Sequence, residues 1–479
     1  MIRLMKKFVI TFLLLLSVAL AVDAQQEFWY EGVHYRALDY YNVEVIQAND
    51  SIYSDRVVIP RYVLCETVDS LGIEHVEGFE VTAIADSAFF RCSNLTSVVF
   101  PKSLLYIGKR AFYYCTGLTS IDFPRSVTNI DDYAFYHCSG LRSINLSNTI
   151  ERIGRSAFSF CGSHESIDLP TSITTIEPFA FFSTPMRNLV VPGSVEVINE
   201  GVFADCDLKE VTISYGVKKI RGRAFDYASF TRIELPNSVE VLDGDSFGNC
   251  RDLKEVNLGD SLKRMTGSTF YGCWDLEYVE IPNSVTYMGG MNFHLCKRLK
   301  TVKFGNSVDT IGYGIFYSCD SLRSVVFPNS LRTLGAYACY GCRILKTVTL
   351  GKSLEFIGND AFDDMVLESI VSLNKTPPGT YPWSFGWSYE TATLYVPKQS
   401  LEAYQAVEPW SKFLNIVGID VEPEPGDIND DGRIDISDLT YLIDLLLTES
   451  EGPSYADVNG DGVVSIKDVT DLIDILLSF

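Results

Sequence analysis

Oxygen-bearing side chains recur at two places near the C-terminus with a spacing that suits a hard cation. From Asp427 the chain reads D-I-N-D-D-G-R-I-D-I-S-D, and 30 residues later, from Asp457, it reads D-V-N-G-D-G-V-V-S-I-K-D. Side-chain oxygens at loop positions 1, 3, 5, 9 and 12, a carbonyl at 7 and glycine at 6 make a cage for an ion of calcium size. The first set is Asp427, Asn429, Asp431, Asp435 and Asp438, with the Arg433 carbonyl and Gly432 at the turn. The second is Asp457, Asn459, Asp461, Ser465 and Asp468, with the Val463 carbonyl and Gly462. Two calcium ions are therefore expected. Without an ion the acids of the first loop, Asp430 included, would repel one another, so metal should fold the module.

Other spacings imitate catalytic signals. Gly244-Asp245-Ser246-Phe247-Gly248 matches G-x-S-x-G, which activates serine only on a strained strand-to-helix turn. Cys339-Tyr340-Gly341-Cys342 matches C-x-x-C, a redox or zinc spacing in other settings. His34, His75, His137, His164 and His294 form no spaced pair with acids that would make a metal site or a triad. The chain is expected not to be an enzyme.

What must position these residues is a repeat. Phe89, Phe112, Phe135, Phe158, Phe181, Phe203, Phe225, Phe247, Phe270, Phe293, Phe316 and Phe362 follow one another in steps of 22 or 23, with Cys339 standing in once. Five residues before each stands an apolar residue, from Ile84 and Ile107 to Leu334 and Ile357, which makes 13 units. In this register Phe247 is simply the repeat phenylalanine, and Ser246 takes a place held elsewhere by alanine. Cys342 joins a column with Cys92, Cys115, Cys138, Cys161, Cys206, Cys250, Cys273, Cys296 and Cys319. That column reads as a ladder of small buried thiols. Stacked neighbours would lie near disulfide range, so oxidation stays open, with reduced thiols the favoured reading. Past the phenylalanine each unit runs to an L-x-x-V-x-F segment such as Leu95 to Phe100, a short strand that Pro101 ends. One unit cannot bury both its strand face and its phenylalanine. Stacked units can, which gives a solenoid of parallel strands with short helical or irregular turns.

The unit "SLLYIGKRAFYYCTGLTSIDFP" resembles the BspA-like leucine-rich repeats of exported bacterial surface proteins, over roughly residues 80 to 370. The resemblance implies adhesion or binding by the solenoid surface. The organisation expected is a signal peptide at 1–24, an N-terminal β cap at 25–80, the solenoid at 81–370 and a C-terminal cap at 371–420. A linker at 421–426, with spaced Pro423 and Pro425, then leads to the calcium module at 427–479. Each calcium loop runs into a helix with an apolar stripe: Leu439, Leu442, Ile443 and Leu446, then Val469, Leu472, Ile473 and Leu476. The two helices are expected to pack on each other. Prolines before each loop leave no entering helix, so this small all-α domain is related to the EF-hand without being a full pair. It resembles a type I dockerin, which plugs into a cohesin on a scaffold protein. That likeness places partner contacts at loop positions 10 and 11, Ile436 and Ser437, and Ile466 and Lys467.

Charge and targeting bound the setting. Arg3, Lys6 and Lys7, an apolar run from Phe8 to Ala21, and Val22-Asp23-Ala24 read as a cleaved secretory signal. The run is shorter than the roughly 20 residues a bilayer span needs, and no later segment is long enough, so no membrane span is expected. The net charge of -23 becomes -25 after cleavage and argues against nucleic acid. Residues 421–479 hold a net of -13. Strand residues facing away from the core, among them Ser120, Asp122, Asn145, Glu210, Glu255, Asn257, Tyr278, Glu280 and Lys303, are polar and mixed in sign. Tyr278 is the one ring there for a sugar to stack on, so a protein ligand is favoured over a glycan. The function expected is a secreted or surface-held binding protein fixed to a scaffold, with an accessory place in a polysaccharide-degrading complex as the alternative.

Overall fold

The structure, a computed structural model, describes residues 26–48, 52–68, 73–162, 164–421, 426–429, 434–448 and 452–477. The expected leader, most of the linker, and Asp430, Asp431, Gly432 and Arg433 lie outside the described residues. The chain forms two compact units, up to Val217 and from Lys218 onward.

Periodicity becomes structure through two parallel ladders of strands. One is built of two-residue strands at the apolar position before the phenylalanine, such as Asn129–Ile130, Arg152–Ile153 and Thr175–Ile176 in the first unit. In the second unit it runs from Lys219–Ile220 to Phe356–Ile357. The other ladder uses the L-x-x-V segments, as where Tyr278, Val279 and Glu280 face Thr301, Val302 and Lys303. Between the ladders the repeat phenylalanines stack face on face. Phe89, Phe112 and Phe135 lie 4.7 and 4.9 Å apart, and Phe225, Phe247 and Phe270 lie 5.5 and 5.6 Å apart. A strand spacing near 4.8 Å brings the rings into contact, and each pair contributes on the order of 1 kcal/mol beyond its burial.

The cysteine column has a specific task. The Cys115 thiol donates to the Phe89 carbonyl at 3.0 Å, Cys138 to Phe112 at 3.1 Å, Cys273 to Phe247 at 3.2 Å and Cys342 to Phe316 at 3.0 Å. Where the column holds Thr184, its hydroxyl donates to Phe158 in the same way. The twelve cysteines are all buried and free. Burial pushes the Cys92 thiol up to about 11 and Cys206 to about 12, with Cys115, Cys138 and Cys161 higher still.

Each repeat also turns through two left-handed residues, two before and two after the phenylalanine. Arg110 and Tyr114, at φ of 56° and 60°, flank Phe112, and Ser268 and Gly272, at 49° and 69°, flank Phe270. Glycine takes this conformation freely, yet it fills the place only at Gly201, Gly272, Gly314 and Gly341. Elsewhere the stacking holds ordinary residues against a cost of about 1 kcal/mol each.

The first unit opens with an antiparallel sheet of Glu27–Tyr30, Val33–Ala37, Asn42–Val45, Glu74–Ile84 and Tyr62–Val68, with Asn42–Val45 and Glu74–Ile84 parallel. Glu74–Ile84 passes straight into the short-strand ladder by pairing Tyr106–Ile107, and Asp55–Val58 pairs Leu95–Val99. At the far end the stacking continues past residue 370. Gly379–Thr380 pairs Phe356–Ile357, Phe385 stacks on Phe362 at 5.3 Å, and Thr393–Pro397 and Asn415–Ile419 extend the long ladder. Phe385 thus heads one further turn, with Thr380 where the others hold an apolar residue. Trp410 closes this end, its indole donating to the Pro378 carbonyl at 2.8 Å.

Two substitutions test these constraints. Cys138→Ala should cost about 1–3 kcal/mol by stranding the buried Phe112 carbonyl, while Cys138→Ser, which keeps a donor as Thr184 does, should recover most of it in urea unfolding. Ser268→Gly should raise stability by about 0.5–1 kcal/mol by relieving the left-handed backbone.

Candidate calcium and docking module

The loop acids also build the helices that follow them. Asp435 is the N-cap of the helix Ile436–Leu447: its carboxylate accepts the Ser437 N–H at 2.7 Å while Asp438 accepts the Asp435 N–H at 2.8 Å. This reciprocal capping box satisfies two donors that a helix start otherwise strands. Asp438 reaches further, accepting the Asn429 N–H at 3.1 Å, so one buried carboxylate ties the early loop to its end. Thirty residues on, the pattern repeats before the helix Ile466–Leu477. Asp468 is buried and accepts the N–H groups of Ser465 at 2.7 Å and Asn459 at 3.3 Å, and Ser465 accepts from Lys467. Burial acts to raise the Asp468 carboxyl, but the N–H groups of Ser465, Asn459 and Val458 outweigh it and hold the group below its ordinary value.

Inside the second loop, Asp461 N–H donates to Asp457 at 3.0 Å and to Asn459 at 2.9 Å, and Gly462 N–H donates to the other Asp457 oxygen at 2.7 Å. Gly462 sits at φ 88° with open space around it, so the turn needs glycine for its backbone and not for room. Positions 1, 3, 5 and 6 are brought together, and positions 3, 9 and 12 are joined through Asp468. Among the described residues no three His, Cys, Asp or Glu side chains converge. The donors are carboxylates interleaved with the Asn459 and Ser465 oxygens, all oxygen, on a loop curled around its first residue. Donor chemistry and turn both fit calcium.

In the first loop, Asp427 is fully buried and its carboxylate meets Lys352 of the solenoid at 3.5 Å, while Asn429 donates to Ser437 at 2.9 Å. Asp431 and Arg433 lie outside the described residues. Sequence reasoning missed Lys352, which stands 75 residues away with no local signal, and Asp471, which accepts from the Asn459 side chain at 3.0 Å.

The two helices pack on each other as expected, around a core of Ile428, Leu442, Ala456 and Leu472. The stripe is narrower than the sequence suggests: Ile443 and Ile473 stay 40% and 37% exposed, while Leu439, Leu446, Val469 and Leu476 close the core. At loop position 10, Ile436 and Ile466 are 75% and 79% exposed, and Ser437 and Lys467 beside them are exposed too. Lys467 pairs with Asp461 at 3.2 Å.

A profile of the BspA type leucine rich repeat region matches residues 82–209, 174–297 and 265–381, and one of the dockerin type I domain matches 425–477. The chain belongs to the BspA-type leucine-rich-repeat family and ends in a type I dockerin domain. Comparison with curated proteins returns no match. Among solved structures, the chain is similar to a leucine-rich repeat protein from Bacteroides ovatus. The two are 25% identical over 82% of this chain and 99% of that one, with a TM-score of 0.61. It is also similar to a leucine rich cell surface protein from Faecalibacterium prausnitzii, 21% identical over 74% of this chain and 96% of that one, at a TM-score of 0.45. Type I dockerin domains bind calcium and pair with cohesins, and repeats of this type are typically non-catalytic interaction surfaces. No helix among the described residues is long and apolar enough to cross a membrane.

The double role of the loop acids separates capping from metal binding in one experiment. Asp468→Ala should cost the second helix about 0.5–2 kcal/mol even in chelator, because the Asn459 and Ser465 N–H groups lose their acceptor. Circular dichroism of the full chain with chelator reads this directly.

Proposed function

We propose that the chain is an exported, non-catalytic binding protein whose dockerin, loaded with two calcium ions, fixes it to a cohesin-bearing scaffold while the solenoid holds a protein ligand. Asp427, Asn429, Asp431, Asp435 and Asp438 with the Arg433 carbonyl take one ion. Asp457, Asn459, Asp461, Ser465 and Asp468 with the Val463 carbonyl take the other. Each ion neutralises the acids of its loop and so locks the loop to the exit helix whose cap it shares.

The observation that carries the docking reading is the exposure of Ile436 and Ile466. Both stand at the first turn of an exit helix, in equivalent places of the two copies, and the module's core uses neither. Large apolar side chains kept in water at matched positions serve a partner that buries them. Ser437 and Lys467 supply the polar contacts beside them. A second reading, an accessory subunit of a polysaccharide-degrading complex, keeps the same dockerin mechanism and differs only in what else the scaffold carries.

Pull-down from the producing organism's secretome by the full chain should recover a cohesin-bearing protein in calcium and lose it in chelator. The double variant Ile436→Asp/Ile466→Asp should weaken that capture by about 2 kcal/mol or more, roughly thirtyfold, with two calcium ions still bound in native mass spectrometry. Capture that persists in chelator, or that the double variant leaves intact, removes the docking reading.

A further inference from the structure

Within the strand face of the second unit, three successive repeats leave a cleft of about 730 Å³, a volume in the range of small-molecule sites. Its origin lies in the turn that ends each long strand. Pro236, Pro282 and Pro328 alternate there with Gly259 and Gly305. The missing rings open space on both sides of Pro282. Glycine at 305 is enforced by close approach, since a Cβ would meet the Pro282–Asn283 backbone at 2.7 Å.

The exposed lining is Asn257, Asp260, Tyr278, Glu280, Asn283, Lys303 and Asn306. Two of the amides are aimed by the backbone: Asn257 Oδ1 accepts the Gly259 N–H and Asn283 Oδ1 accepts the Asn306 N–H, both at 3.0 Å. Their Nδ2 groups hold no hydrogen bond among the described residues and remain as oriented donors. The Tyr278 ring is 46% exposed, and its hydroxyl is tied to Glu280 at 3.1 Å. Glu280 in turn pairs with Lys303 at 2.5 Å. The ring is therefore a fixed plate, the two charges beside it cancel, and the Asp260 carboxylate leaves the cleft negative.

The ligand that answers this lining carries oxygen acceptors for fixed amide donors, an apolar face for one ring, hydroxyl donors for the Asp260 carboxylate, and no negative charge. We propose that this cleft binds a neutral oligosaccharide, with Tyr278 as the stacking platform and Asn257 and Asn283 as the donors. An anionic ligand would meet the Asp260 carboxylate, with Lys303 already paired to Glu280 and no other cation in the lining to offset it. The site is separate from the dockerin, so it stands or falls independently of the docking reading, and it adds a ligand to the solenoid beyond the protein proposed above.

The test uses the full chain with cellohexaose, xylohexaose and mannohexaose as probes, followed by saturation-transfer NMR and calorimetry in calcium. At least one hexasaccharide should bind. Tyr278→Ala should weaken it by about tenfold or more, and Tyr278→Phe, which keeps the plate, should stay within about threefold. Thermal melting checks that both variants remain folded, as an exposed residue allows. Binding of none of the three probes, or equal binding by Tyr278→Ala, overturns the proposal. Capture of cohesin by the same Tyr278→Ala protein reports separately on docking.

Discussion

The repeat phenylalanine creates a problem that the next repeat solves. Its ring is stacked in the core, and its own carbonyl lies buried behind it, where an unmet acceptor costs about 1–3 kcal/mol. The thiol three residues past the following phenylalanine meets that carbonyl, at 3.0 to 3.4 Å wherever cysteine holds the place, as at Cys115 and Cys161. Register is thereby fixed twice, once by ring on ring and once by thiol on carbonyl. A one-residue slip would break both. This pairing explains why the column holds cysteine, or Thr184, in most repeats, Ala228 and Met365 being the places where it holds neither a thiol nor a hydroxyl. It also bears on the redox state of the column. From Cys115 to Cys342 each cysteine sulfur of the column donates along the stack, and burial holds Cys115, Cys138, Cys161 and Cys206 away from the thiolate, whereas Cys342, despite its burial, is drawn toward it beside Cys319 and Cys339.

A backbone so firmly registered can carry local strain. Non-glycine residues sit in the left-handed region at both ends of nine of the thirteen turns, as at Tyr133 and His137 around Phe135. The same rigidity frees the surface. Residues such as Phe90, Tyr113 and Tyr136 form a half-exposed stack outside the core, at 5.2 and 5.0 Å, because the spacing beneath them is already set. Their faces cover one another, so this ridge offers ring edges, unlike the open face of Tyr278.

Much of this architecture was legible in the sequence because solenoid order is one-dimensional. A column of Phe89, Phe112 and Phe135 states the register directly, and the duplicated acids at 427 and 457 state the loops. What escaped has physical causes. Phe385 keeps the step of 23 from Phe362, yet Thr380 replaces the apolar residue and prolines interrupt the strand signal, so the last turn reads as irregular chain. Left-handed residues leave no mark when glycine does not fill them. Helical periodicity could not tell Ile443 from Leu442, since a two-helix core is too small to cover a full stripe. The Lys352–Asp427 contact is tertiary, and no local pattern carries it.

Charge divides the labour between the two parts. The net of -13 in residues 421–479 is a local excess awaiting cations, and it is built into helix caps, so that binding an ion and holding a helix use the same oxygens. The solenoid spends its charges on itself, pairing Lys300 with Glu277 and Lys263 with Glu240 across one repeat. Such exposed pairs add little stability, but they leave a strand face with little field. Recognition on that face must then rest on shape and oriented hydrogen bonds. The exchange of proline for glycine at residues 259 and 305 changes that shape without touching the phenylalanine stack beneath it, which is how a repeat array acquires a site at no cost to its core.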